Sequence, residues 1–209
     1  MSDTNEISFD LLKPEPLLIV LSGPSGVGKD VTLQALKKRN IPLHFVITAT
    51  TRSPRAGEKN GVDYFFYTRD EFEALIKANE LLEHAVVYDD YKGIPKAQIR
   101  KAMQSGQDVI LRVDVQGAAK LRELNPDAVL IFLLPGSVEE WHQRLNSRQT
   151  ETEESMKTRL NKVKWELEYL PLFDYLVVNK HNELEIAVDN IIEIIHAEHH
   201  RCIPRKITL

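Results

Sequence analysis

Gly23–Lys29, reading GPSGVGK, has the spacing G-x-x-x-x-G-K of a phosphate-binding loop. Gly23, Gly26 and Gly28 let the backbone turn tightly, so that consecutive N–H groups point inward at a polyphosphate. Lys29 adds a full positive charge, and a helix starting there adds a partial one. Asp30 stands where such loops carry a Ser or Thr hydroxyl for Mg²⁺. A second candidate set lies in TTRSPRAGEKNGVDY, where Arg52 and Arg55 flank Pro54 and Tyr64 follows. Arginine forks bind phosphate oxygens bidentately, and a tyrosine hydroxyl adds a donor. A third is Arg144, Arg148 and Arg159, the residue type that neutralises charge on a phosphoryl group in transit.

These side chains need elements to position them. Leu17–Leu21 is a continuous apolar run, the pattern of a parallel strand buried on both faces. Leu33, Leu36 and Lys37 then open an amphipathic helix. Further strands are expected at His44–Ala49, Asp108–Val113, Ala128–Leu134 and Tyr175–Val178, alternating with helices in the manner of a doubly wound parallel sheet. Helices are expected over Ser137–Ser147, Glu153–Glu168 and Glu183–His200. Between Thr48 and Pro95 the texture changes: YFFYT and LLEHAVVY look half-exposed around a helical Asp70–Ala78, which implies an inserted, mostly β subdomain. RLNSRQTETEE reads as a polar segment between two helices.

Composition narrows the function classes. A chain of 209 residues supports one sizeable core. A net charge of −4 gives no general attraction to nucleic acid or to a membrane surface. The single Cys202 excludes an internal disulfide and suits a reducing compartment. The acidic start MSDTNEISFD resembles neither a signal nor a transit peptide, so a cytoplasmic protein with a lead-in over residues 1–16 is expected. His196, His199 and His200 have a spacing that suits a metal, but cations at a helix C-terminus also complement its dipole. Trp141 and Trp165 lie on apolar helix faces and read as core.

Taken together, GPSGVGK, TTRSPRAGEKNGVDYFF, ELLEHA, DVQGA, RLNSR with TETEES, and FDYLVVN make the chain from Leu17 to the final helix resemble the guanylate kinase family. The resemblance implies a P-loop NTPase-type α/β fold: a parallel-sheet core over 17–47 and 96–209, a small α+β GMP-binding subdomain over 48–95, and a helical lid near 144–159. It implies transfer of the ATP γ-phosphoryl to GMP, with Mg²⁺ accompanying ATP, in a monomer or homodimer. By position, Gly23, Pro24, Ser25, Gly26, Val27, Gly28, Lys29 and Asp30 would hold the ATP phosphates, and Asn179 would lie near adenine. Arg52, Arg55, Tyr64 and Lys92 would hold the GMP phosphate, while Thr48, Glu83 and Asp114 would face guanine. A carboxylate such as Glu83 accepts from both N1–H and the exocyclic amine of guanine, a pair adenine lacks. Lys29, Arg52, Arg144, Arg148 and Arg159 would serve the moving phosphoryl.

Asp30, Arg112, Lys92 and Ile94 depart from the family's usual pattern, and GKD resembles a divergent branch with bacterial and plant-organelle members. Asp30 is expected to pair with Arg112 while still reaching Mg²⁺, directly or through water. Two other readings remain at this point: a guanylate-kinase-like binding module, and a P-loop kinase with a different phosphorylated acceptor.

Overall fold

The computed structural model describes residues 15–87, 89–146 and 161–209. Its frame is a five-stranded, all-parallel sheet in the order β2-β7-β1-β8-β9. These strands are β1 (Leu18–Ser22), β2 (Leu43–Phe45), β7 (Asp108–Arg112), β8 (Val129–Pro135) and β9 (Tyr175–Asn179). Successive residues of a strand point to opposite faces, and β1 feeds two cores accordingly. Ile19 and Leu21 pack with Leu36 of α1 (Lys29–Lys37) and with Ile191 and Ile195 of α7 (Leu184–His199). Leu18 and Val20 pack with Ile99 of α3 (Lys96–Gln104) and with Ala118 and Leu121 of α4 (Val115–Leu124). Every β1 residue is buried, which is why this strand reads as an unbroken apolar run rather than an alternating one.

A second sheet, ordered β4-β3-β6-β5, is built entirely from residues between β2 and α3. It comprises β3 (Ala49–Thr50), β4 (Phe65–Phe66), β5 (Leu81–Val87) and β6 (Asp90–Pro95), with α2 (Arg69–Lys77) packed against it. Its small core is Ala49, Phe72 and Leu81, flanked by Phe65, Leu75 and Tyr91. Helix α2 begins at a capping box in which Thr68 and Glu71 satisfy each other's backbone N–H groups. Gly93 is required inside β6: a Cβ there would stand 2.9 Å from the Glu83 carbonyl and 3.0 Å from the Phe72 ring.

One expectation is corrected. His44–Ala49 is not one strand: β2 ends at Phe45, and Ala49 already belongs to the second sheet. The cause is Gln98, whose side-chain amide accepts from Ile47 N–H at 2.8 Å and donates to Ile47 C=O at 2.7 Å. Both backbone groups are thereby taken from the ladder, and the chain crosses between sheets. The strand over Asp90–Pro95 was not expected, because Gly and Pro are depleted in strands.

Helix α5 (Val138–Asn146) follows β8, and residues 161–167, numbered here α6, are helical. The region from 147 to 160, with Arg148, Arg159 and TETEE, lies outside the described residues. Among the described residues, no helix is long and apolar enough to cross a membrane, and no cluster of three or more His, Cys, Asp or Glu is arranged to hold a metal. His199 Nε2 instead donates to Asp108 Oδ2 at 2.8 Å, and the same aspartate accepts from Leu17 N–H. The histidine thus joins the end of α7 to the start of two core strands.

Candidate active site

The phosphate loop joins β1 to α1, and its carbonyls are nearly all engaged. Lys29 Nζ donates to Gly23 O at 2.6 Å and Pro24 O at 2.9 Å. Trp141 Nε1, from α5, donates to Ser25 O at 2.8 Å. Val27 O accepts from Asn179 Nδ2 at 2.9 Å and from Arg144 at 3.1 Å. Gly28 O accepts from Thr32 through both its N–H and its hydroxyl at 3.0 Å. With these carbonyls engaged, the loop's N–H groups are what remains to meet an anion. Gly28 is the N-cap of α1 at φ 97°, and a Cβ there would lie 2.5 Å from Asn179 Nδ2. Only glycine fits.

Burial pulls the Lys29 ammonium down to about 8, with Arg112 and Lys162 acting in the same direction and Glu166 and Asp114 opposing. Glu166 escapes the sequence reading altogether. It lies on α6, 4% exposed, with Oε2 lacking any hydrogen-bond partner. Burial raises its carboxyl, while Lys162, Lys29 and the Ser25 amide oppose the shift. Its spacing on an apolar helix gave no cue, since a glutamate at that position reads as solvent-facing. Trp141 was expected in the core and is there, at 3% exposure; that a buried indole N–H must find an acceptor was the available signal for its second role.

Facing the loop, a cavity of about 310 Å³ is lined by Lys29, Thr48, Tyr64, Glu83, Lys92 and Asp114, among others. Six residues expected from four separate stretches of sequence therefore share one space. Glu83 stands on β5 with its side chain 14% exposed; burial raises its carboxyl, and Lys120 Nζ at 3.8 Å opposes. Asp114 lies two residues past the end of β7 and caps α4 by accepting from Gly117 N–H at 2.8 Å. Ile94, also lining this cavity, is buried and apolar, and offers the ligand shape only.

Arg52 and Arg55 do not line this cavity. Arg52 instead makes a bidentate pair with Glu58, both contacts at 2.7 Å, while its guanidinium lies 4.8 Å from the Tyr64 ring centroid. Glu58 also accepts from the Arg55 backbone N–H at 2.7 Å. The Arg52 guanidinium, then the Arg55 amide, hold the Glu58 carboxyl at about 2. The sequence reading named both arginines and missed the glutamate that organises them. Asn179 and Arg144 line a second opening, about 310 Å³, with Gly26, Gly28 and Lys180. Asn179 is 3% exposed with its amide committed to Val27, so its reach toward a base is limited. Arg144 also donates to Asn179 O at 2.8 Å and pairs with Glu140. Asp30 contacts Arg112, the end residue of β7, rather than capping α1.

A parallel sheet with a braced phosphate loop, opposed by a second sheet carrying a carboxylate-lined cavity, defines a P-loop phosphotransferase fold. The guanylate kinase family model matches residues 15–198. The chain is 47% identical over 197 residues to guanylate kinase 2, chloroplastic/mitochondrial, of Oryza sativa subsp. japonica, covering 94% of this chain and 69% of that protein. It is 48% identical over 187 residues to guanylate kinase of Halalkalibacterium halodurans, covering 90% and 91%. A crystal structure of guanylate kinase from Anaplasma phagocytophilum matches with a TM-score of 0.70 at 31% identity, covering 92% of this chain and 90% of that one. The chain belongs to the guanylate kinase family.

Proposed function

We propose that the protein transfers the γ-phosphoryl group of ATP to GMP, reversibly, giving ADP and GDP. The observation that carries this reading is the shared cavity, in which loop Lys29 and the carboxylates Glu83 and Asp114 face one space. Glu83 accepts from guanine N1–H and the exocyclic amine, with Asp114 and Thr48 completing the base site. Neither carboxylate reads a 2′-hydroxyl, so dGMP is accepted as well. Tyr64 and Lys92 hold the GMP phosphate, together with Arg55 and with Arg52 once it turns from Glu58. An oxygen of that phosphate attacks the γ-phosphorus in line; the new P–O bond forms as the bond to the β–γ bridging oxygen breaks, and the electron pair leaves on ADP. Lys29 leaves the Gly23 and Pro24 carbonyls for the ATP phosphates, and Arg144, Arg148 and Arg159 serve the transferring group.

The donor set suits Mg²⁺, which takes one or two carboxylates plus substrate phosphates rather than an all-protein cage. Asp30, with its side chain 67% exposed beside the loop, would hold it. The ion would there neutralise charge on the phosphates. A cytoplasmic location is proposed with it, since the single cysteine suits a reducing compartment.

A coupled ADP-release assay with ATP across GMP, dGMP, AMP, UMP and CMP tests the proposal. Turnover with GMP and dGMP alone is expected. No turnover with GMP, or equal rates with AMP, would overturn it.

A further inference from the structure

Phosphate loops of this type hold their metal with a hydroxyl just after the loop lysine and an acid at the end of a neighbouring strand. Here neither position carries the expected group. Asp30 follows Lys29, and Arg112 ends β7. Strands β1 and β7 pair in parallel with Leu21 opposite Arg112, so the arginine stands beside the point where β1 gives way to the loop. The two side chains meet there, Arg112 Nη1 on Asp30 Oδ1.

Three observations show that this contact belongs to the site rather than to the general surface. Arg112 lines the cavity that holds Lys29, Glu83 and Asp114, and also the adjoining one that holds Asp30, Glu58 and Tyr64. Asp30 makes no cap to α1, whose N-cap is Gly28 with no side-chain bond, so the arginine is what orients it. Asp30 alone would set a negative charge against bound polyphosphate; the guanidinium offsets that charge at the same point.

We propose that Arg112 is a positioning residue for phosphoryl transfer that acts through Asp30, the pair standing in for the hydroxyl and acid of other phosphate loops. Arg112 holds the carboxylate at the first turn of α1, where the nucleotide phosphates and their metal bind, and leaves the pair neutral where a hydroxyl and an acid would carry one negative charge. The inference rests on the loop being the MgATP site.

The test is a double-mutant cycle on the full chain, with Asp30→Ser, Arg112→Asp and the double variant, read as the MgATP dissociation constant by titration calorimetry. Thermal melts establish that each variant is folded. Arg112→Asp faces the phosphates with two carboxylates and Asp30→Ser leaves the guanidinium unpaired at the metal position, so each alone weakens binding by about tenfold. The double variant restores a hydroxyl and an acid and returns to within about threefold of the wild type. Recovery of this kind cannot come from independent sites. Losses that multiply, leaving the double variant weakest, overturn the proposal. If Arg112→Asp fails to fold, Arg112→Glu completes the cycle and is read by the same criterion. With EDTA in place of the metal, Asp30→Ser is expected to bind ATP no more weakly than the wild type; a loss there equal to the loss with Mg²⁺ overturns the role at the metal. A wild type that does not bind MgATP refutes the reading of the loop instead, so the two failures are distinct.

Discussion

In the five-stranded sheet, the groups proposed to meet a polyphosphate are loop N–H groups and Lys29, beside carbonyls that side chains have taken. In the four-stranded sheet, the groups proposed to meet the acceptor are side chains, and one of them, Arg52, is held by another side chain. In the first arrangement the N–H groups are set before a ligand arrives, and Lys29 alone changes partners. The second is an arginine already satisfied by Glu58, which must share or exchange its partner. Burial differs in the same sense: β1 is buried throughout, whereas the outer half of β6, Asp90–Lys92, is only partly buried. A site made from backbone needs a rigid frame, and a site made from exchangeable ion pairs needs only a small one.

Four substitutions probe this contrast, in falling order of effect. Lys29→Ala removes the loop's only full charge and should lower turnover about 10²–10³-fold or more, as loss of one preorganised electrostatic donor does. Near-normal turnover would break the account of the loop. Arg52→Ala should raise KM for GMP about 10–100-fold, the range of a charge-assisted hydrogen bond, and leave KM for ATP within about twofold. A parallel rise in both would erase the division between the sheets. Glu83→Gln keeps the shape but turns one acceptor into a donor, so the preference for GMP over AMP should fall about tenfold. Because burial raises the Glu83 carboxyl, kcat/KM for GMP should drop as pH falls through that raised value and the acceptor is protonated. The acidic limb should vanish in Glu83→Gln, and a limb that persists unchanged would assign it elsewhere. Glu58→Gln should lower KM for GMP by only about two- to fivefold, the scale of an accessible ion pair, because Arg52 then turns to the phosphate without leaving a carboxylate; a rise in KM would mean that Glu58 orients Arg52 rather than competing for it.

The same contrast explains what could be read in advance. LLIVLS, DVILRV and AVLIFLL are legible as strands because burial on both faces leaves a continuous apolar run, and GPSGVGK is legible because the backbone itself needs those glycines. The four-stranded sheet is not legible in that way. Strands β3 and β4 are two residues long, set by pairings with residues far along the chain, and β6 carries the Gly and Pro that argue against a strand. Gln98 ends β2 from more than 50 residues away, and nothing in HFVITA announces it. Among the site residues, type and spacing gave Lys29, and the family resemblance gave Glu83 and Asp114, but neither gave Glu58, Glu166 or the second role of Trp141. Those three are defined by which neighbour lacks a partner, a property of the packed chain.

The braces on the phosphate loop have a consequence for how the chain comes to exist. Trp141, Arg144 and Asn179 reach back 116, 117 and 152 residues to hold Ser25 and Val27. The motif is made more than a hundred residues before its braces, so its cradle takes its full shape only after β9 has been made and docked. A nascent chain carrying the whole of GPSGVGK but not β9 therefore lacks the bonds that hold the Ser25 and Val27 carbonyls. Once β9 is docked, ligand at the loop draws on contacts spanning most of the chain, so nucleotide occupancy stabilises the two ends of the sequence together.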